Sequence, residues 1–261
     1  MANFKCIVPR LGEKDEHKFK MFTEPSMQKI GAQLLQVFDK NSSKPENIFK
    51  KYNSGIEAVS QNGGLNDDDI ICFIHSDVGI VDNLFREKVE LVFSEKPEVA
   101  ILGIAGAIEL TERGGFWMNT PDKMRGHLIQ GKDGGGQGDG FHLQKGAIGY
   151  FDDLVCVDGC IMITKGKFIK EGLRFDDITY TGNDFYDYDI SLRALELGYS
   201  VACADILIFH ASPGLGVFNE SWKEAKEKFI KKWQDKGYIL PFTPNQFKKK
   251  EIVSQIVEIE I

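Results

Sequence analysis

A histidine and an aspartate, His75 and Asp77, close the apolar run Ile70-Ile71-Cys72-Phe73-Ile74. Two residues apart in an extended segment, their side chains point to the same side. Imidazole and carboxylate are both ligands for divalent cations, so the pair has the makings of a clamp for a metal ion and the diphosphate it would neutralise. An ordinary strand followed by a polar turn explains the fragment equally well. Two further polar clusters border apolar elements: Asp184, Asp187 and Asp189 at the start of a helix-like stretch, and His210 after a strand-like one.

The elements that must position these residues alternate along the chain. A strand is expected over 4–8, stopped by Pro9, and a helix over 22–35 from the spacing of Met27, Ile30, Leu34 and Leu35, although 34–38 also reads as the start of a second strand ending at Asp39. Ile48, Tyr52, Ile56 and Val59 make one stripe of a helix over 48–59. The strand over 70–74, a helix over 82–93 and a strand over 99–104 follow. Such alternation implies α/β architecture with a mostly parallel sheet flanked by helices.

From Gly106 glycine becomes dense, culminating in Gly134-Gly135-Gly136-Gln137-Gly138-Asp139-Gly140. This predicts a mobile glycine-rich active-site loop, with an exposed hairpin or a disordered insertion as alternatives. No Gly-Lys-Ser/Thr follows, so a P-loop is not indicated. A long strand with a bulge at Asp158-Gly159 is expected over 154–163, a helix over 186–197 capped by Gly198, and a last strand over 201–209. The tail carries a basic amphipathic helix over 220–236 with Trp222, Phe229 and Trp233, then an alternating segment over 252–261.

A chain of 261 residues with 42% hydrophobic and 27% charged residues is ordinary for a globular protein with a sizeable core. The net charge of -7 offers no footprint for nucleic acid, so an anionic substrate has to be held locally. Cys6, Cys72, Cys156, Cys160 and Cys203 form no C-x-x-C pair and read as small buried hydrophobes in a reducing compartment. No signal-peptide pattern opens the sequence and no apolar span approaches membrane length, so a cytoplasmic protein is expected, at most peripheral to a membrane.

Motif order carries a resemblance. A strand ending in H-x-D, a V-D-G strand, the helix opening Asp184-Phe185-Tyr186-Asp187-Tyr188-Asp189-Ile190-Ser191-Leu192-Arg193-Ala194, and a strand ending in Phe209-His210 together resemble the GT-A fold glycosyltransferases of the family 2-like group. The likeness runs from Ile7 to about Gly216, implying a catalytic domain over 1–216 and a helical and strand extension over 217–261 packed on it. It implies transfer of a sugar from a nucleoside-diphosphate donor, most simply a UDP-sugar, to an acceptor hydroxyl on a glycan, a lipid-linked or a protein-linked chain, with inversion. Asp77 matches the last acid of the family's D-x-D motif, which binds Mn²⁺ or Mg²⁺, and His210 a histidine that completes the metal site. His75 stands where the first acid would be, which leaves it a donor, metal or loop-shaping role. Asp187 aligns with the general base, with Tyr186 in place of the usual glutamate.

Asp189 is a second catalytic candidate, or a structural acid paired with Arg193 one turn on. For both aspartates the alternative is simple capping and dipole pairing at a helix N-terminus. The resemblance also implies donor contacts from Pro9, Arg10, Asp39, Tyr52, Asn53 and Asp158, and an acceptor platform from Trp117 with the glycine loop. Each has an ordinary alternative, such as a strand stop for Pro9 or packing for Tyr52. Two rival functions remain: a nucleotidyltransferase, whose glycine- and lysine-rich N-terminal loop is poorly represented by Val8-Pro9-Arg10-Leu11-Gly12-Glu13-Lys14, and a non-catalytic sugar- or glycan-binding module.

Overall fold

Strand β1 (Phe4–Pro9) is buried along nearly its whole length and pairs in parallel with β2 (Gln33–Val37) on one side and β3 (Ile70–Ile74) on the other. A strand flanked on both sides needs apolar side chains on both faces, which is why 4–8 and 70–74 read as unbroken apolar runs. The computed structural model describes residues 2–39, 46–61, 64–126, 128–131, 149–212 and 218–248. The glycine run 134–140 and the segment 252–261 lie outside the described residues.

Between β1 and β2 the expected continuous helix over 22–35 is not formed. Short helices α1 (Glu16–Lys18) and α2 (Glu24–Lys29) are joined by a π-helical turn, Phe19–Thr23. Gly31, at φ 61°, ends the helical path in a conformation that side chains resist, and Leu34 and Leu35 become strand residues of β2. The second of the two readings for 34–38 is thus the correct one.

Helix α3 (Ile48–Gln61) lies on β1 and β2, burying Phe49, Tyr52, Ile56 and Val59. After β3 come β4 (Val78–Ile80), α4 (Phe85–Glu95), β5 (Val99–Gly103) and β6 (Ala105–Ala107). They are followed by β7 (Met124–Gly126), β8 (Ile129–Gln130), β9 (Tyr150–Phe151), β10 (Cys156–Val157) and β11 (Ile161–Lys165). The chain then runs through α5 (Gly166–Lys170), α6 (Tyr186–Glu196), β12 (Ser200–Ala204), β13 (Ile208–His210) and α7 (Glu220–Asp235).

The central sheet has the order β2-β1-β3-β11-β5-β12-β9, in which β11 and β9 run against the other strands. Two small sheets, β10-β6-β7 and β4-β13-β8, stand beside it. Both long strands expected in the second half are therefore split. Residues 154–163 divide into β10 and β11 because Asp158 turns the chain, its carboxylate accepting the amide of Cys160 at 2.8 Å. Residues 201–209 divide into β12 and β13, with Ile208 and Phe209 joining a different sheet.

The tail helix α7 is capped by Asn219, whose side chain accepts the amide of Trp222 at 2.9 Å. Its apolar face, Trp222, Ala225, Phe229 and Trp233, is buried with the rest of the core.

Candidate active site

Three of the sequence candidates converge. His75 follows β3, Asp77 precedes β4, and His210 ends β13, which pairs antiparallel with β4 so that His210 stands opposite Val78. One donor atom from each of His75, Asp77 and His210 lies within 4.8 Å of the others. Nε2 of His210 is 3.3 Å from Oδ1 of Asp77, and the amide of Ala211 donates to the Asp77 carbonyl at 2.8 Å, locking the two strand ends together. Thr23, from the π turn, donates its hydroxyl to the carbonyls of His75 and Val78 and fixes the bend between them.

The electrostatics suit a cation site. Burial opposes the Asp77 charge, but the hydrogen bond and charge of His210, with the charge of Lys18, still hold the carboxyl below its usual range. Burial, reinforced by the neighbouring His210, pushes His75 down to about 4, so its imidazole is neutral at physiological pH and has a lone pair to offer. Two imidazoles and a carboxylate at this spacing fit a divalent ion.

The acids of α6 separate into two environments. Asp187, in the first turn, accepts the amide of Gly159 at 3.0 Å through Oδ2 and that of Tyr188 at 2.9 Å through Oδ1. Burial and then the nearby charge of Asp158 push its carboxyl up to about 8, against the pull of those amides. Tyr186 links this helix to the metal cluster: its hydroxyl lies 2.5 Å from Nε2 of His75. Phe185, just ahead, has φ 68°, a left-handed backbone costly for an aromatic residue, held by packing against Tyr188, Trp222 and Phe229. The strain sits at the residue that sets the direction in which α6 starts.

Asp189 faces the other way. It is 2% exposed and accepts from Tyr180 at 2.9 Å and the Trp233 indole at 3.0 Å, and it pairs with Lys232 at 2.7 Å. Its carboxylate anchors α7. The expected partner Arg193 instead bonds Glu196 at 2.7 Å, because one turn on from Asp189 it is at the protein surface while Asp189 is inside.

The donor-side candidates are less uniform. Pro9 ends β1. Arg10 is 1% exposed, its guanidinium spent on Asp15, Glu16 and Gln36 and stacked over Phe19 at 3.8 Å. Asp39 accepts Lys51 at 3.0 Å and the Glu46 amide at 2.9 Å. Tyr52 is fully buried between Phe73 and Phe175, and Asn53 grips the backbone of Phe175 through both ends of its amide. Arg10, Tyr52 and Asn53 thus build the wall behind the strand ends and do not project from it. Trp117 is partly buried in a short 3-10 helix, Phe116–Met118.

Two contributors carry no sequence signal. Lys18 reaches Asp77 at 3.7 Å, and Gln130 meets Nδ1 of His210 at 3.2 Å. Both come from segments remote in the chain, and only β-pairing brings Gln130 opposite His210.

A family model described as "Glycosyltransferase like family" matches residues 46–236, which include all three metal candidates and α6. The chain belongs to this glycosyltransferase-like family. Its α/β architecture, with a large and mostly parallel central sheet, is the one that the order of motifs implied.

Solved structures of glycosyltransferases resemble it at low identity. GalNAc-T7 with UDP, GalNAc and Mn²⁺ is 8% identical with a TM-score of 0.47, over 80% of this chain and 44% of the other. Staphylococcus aureus TarS is 11% identical with a TM-score of 0.45, over 81% and 61%. A Drosophila β-1,4-galactosyltransferase 7 mutant with manganese, UDP-Gal and xylobiose is 12% identical with a TM-score of 0.47, over 87% and 79%. The chain spans less than two thirds of the first two. No curated protein matches it in sequence. Among the described residues no helix is long and apolar enough to cross a membrane.

Proposed function

We propose that this chain transfers a sugar from a nucleoside-diphosphate donor, with a UDP-sugar the first expectation, to an acceptor hydroxyl, with inversion and with the help of a divalent cation. The observation that carries the reading is the convergence of His75, Asp77 and His210 within 4.8 Å, joined through Tyr186 to the helix that bears Asp187.

His75, Asp77 and His210 would hold the ion, Mn²⁺ or Mg²⁺, which when bound supplies charge to stabilise the departing diphosphate. Asp187 is the base. Fixed by the amides of Gly159 and Tyr188, its carboxylate accepts the proton of the acceptor hydroxyl as the new glycosidic bond forms on the face opposite the leaving group. A carboxyl pushed up to about 8 is a stronger proton acceptor than an ordinary one once ionised. Asp189, closed in by Lys232 and Trp233, takes no part in the chemistry.

Pro9, Asp39, His75 and Asp158 would border the donor, with Arg10, Tyr52 and Asn53 supporting them from behind. Trp117 would face the acceptor, whether a glycan, a lipid-linked or a protein-linked chain. The catalytic domain is taken as 1–216 and the extension as 217–261, which leaves α7 to brace α6 through Asp189. Five buried cysteines without a disulfide agree with a cytoplasmic setting. The arginine nearest the first strand end is consumed internally, which disfavours a nucleotidyltransferase needing a free triphosphate loop.

The test is thermal stabilisation by UDP, GDP, CDP and ATP, each with Mn²⁺ and with EDTA, on wild type and Asp77→Ala. The expected result is a metal-dependent rise for one diphosphate, UDP first, that disappears in the variant. No shift with any nucleotide would sink the donor site.

A further inference from the structure

The departure of this chain from the D-x-D pattern places an imidazole, His75, where a carboxylate is expected, and the structure surrounds that imidazole with an unusual support. The Tyr186 hydroxyl lies 2.5 Å from Nε2 of His75. Tyr186 is 6% exposed and its ring is packed against Phe49, Tyr52 and Phe175. Behind the hydroxyl is Gly159, where a Cβ would come within 2.1 Å of the phenolic oxygen. The hydroxyl therefore has one place to be. On the strand side the His75 amide is tied to the Cys160 carbonyl at 3.0 Å. With Nε2 engaged, Nδ1 is the nitrogen of His75 left for the cluster. His210 has the complementary arrangement: Gln130 meets its Nδ1, and Nε2 faces Asp77.

We propose that Tyr186 is a positioning residue for the metal cluster: its oxygen accepts the Nε2 proton of His75, which keeps the Nδ1 lone pair for the ion and makes the site prefer transition-metal cations over Mg²⁺. This rests on the cluster being the cation site of the proposed transferase. Two imidazoles and one carboxylate are a poor match for Mg²⁺, which takes oxygen ligands in a near-ideal octahedron. For nitrogen-containing sites affinity rises from Mn²⁺ to Co²⁺. An outer hydrogen bond on a ligating imidazole fixes its tautomer and raises its basicity, and losing such a partner costs about 10- to 100-fold in metal affinity. Without the Tyr186 oxygen, the proton of neutral His75 is free to sit on Nδ1 and block the ligand position.

The experiment is calorimetric titration of the full chain with Mg²⁺, Mn²⁺ and Co²⁺, with and without UDP, together with the visible spectrum of the Co²⁺ form. Wild type, Tyr186→Phe, His75→Asp and the double variant are compared, each first confirmed folded by its melting transition. Wild type should bind Co²⁺ more tightly than Mn²⁺, and Mn²⁺ at least about tenfold more tightly than Mg²⁺. Tyr186→Phe, which keeps the ring, should weaken Mn²⁺ and Co²⁺ by about tenfold or more, leave Mg²⁺ nearly unchanged and alter the Co²⁺ spectrum. In the His75→Asp background Tyr186→Phe should have no further effect, and the preference over Mg²⁺ should narrow. Equal affinity for Mg²⁺ and Mn²⁺, or a Tyr186→Phe variant with wild-type affinities, would overturn the proposal, as would failure of all three ions to bind in both arms. Ion binding in the expected order with no response to any nucleoside diphosphate would sustain the role of Tyr186 while removing the transferase reading.

Discussion

The backbone amide of Gly159 donates to Oδ2 of Asp187 at 3.0 Å, so the turn between β10 and β11 and the first turn of α6 share one hydrogen bond. That bond aims the carboxylate, yet burial and Asp158 hold its proton on up to about pH 8.

A first prediction concerns pH and sign. The Asp187 carboxyl, ordinarily near 3.8, is raised to about 8 in the folded chain, so between those values the folded state keeps a proton that the unfolded state has lost. Its contribution to stability is complete below the lower value and is lost as pH climbs through the higher one. Asp187→Asn does not titrate, so its melting temperature should gain on wild type from about pH 4 to about pH 8 and then run parallel. Transfer by the variant should fall about 10²- to 10⁴-fold, and wild-type kcat/KM should rise with pH toward an inflection at about 8. A melting difference that ignores pH would refute this account.

Burial also raises the neighbouring Asp189 carboxyl, but Lys232 and Tyr180 pull against it, so its removal is read through the ion pair it leaves behind. Asp189→Asn keeps the shape but removes the charge opposite Lys232, and should lower the melting temperature at neutral pH. Lys232→Ala leaves a buried carboxylate without its ion partner and should cost about 3 kcal/mol in urea unfolding. Loss of less than about 1 kcal/mol would mean that Tyr180 and Trp233 suffice to hold Asp189.

Gly159→Ala tests the close approach. The added methyl cannot coexist with the Tyr186 hydroxyl at 2.1 Å, and the hydroxyl must leave Nε2 of His75. Both Mn²⁺ affinity and turnover should drop by about tenfold or more. Retained Mn²⁺ affinity in calorimetry would show that the phenol does not support the imidazole.

Gln130→Leu removes the partner of Nδ1 on His210 and keeps the side-chain bulk. Divalent-ion affinity should fall by about tenfold, while the melting temperature in EDTA changes little. An unaltered binding isotherm would count against Gln130 as a support of the site.

Much of this arrangement is legible in the chain because it depends on local rules. The apolar run ending in His75 and Asp77, the helix beginning at Tyr186 and the strand closing at His210 are all visible from periodicity and its interruption. What escapes is set by long-range contact. Whether Asp187 or Asp189 points to the site depends on where α7 lands, and the claim of Lys232 on Asp189 crosses 43 residues. Arg10 resembles a donor ligand in sequence, but the acids of α1 and the loop before it neutralise it inside the fold. Residues 154–163 read as one strand because apolar patterning cannot reveal that an Asx turn sends the two halves into different sheets.

The division of the cation ligands between sheets has a consequence for assembly. His75 extends the central sheet, while His210 belongs to the small β4-β13-β8 sheet, and Tyr186, 111 residues beyond His75 in the chain, closes the group from a helix. A nascent chain must extend past His210 before it contains the full set of ligands and its support. An ion captured there would act as a last fastener, reporting that both halves of the polypeptide have found each other, so loss of the ion should first be felt as a loosening between sheets and not as unravelling within either.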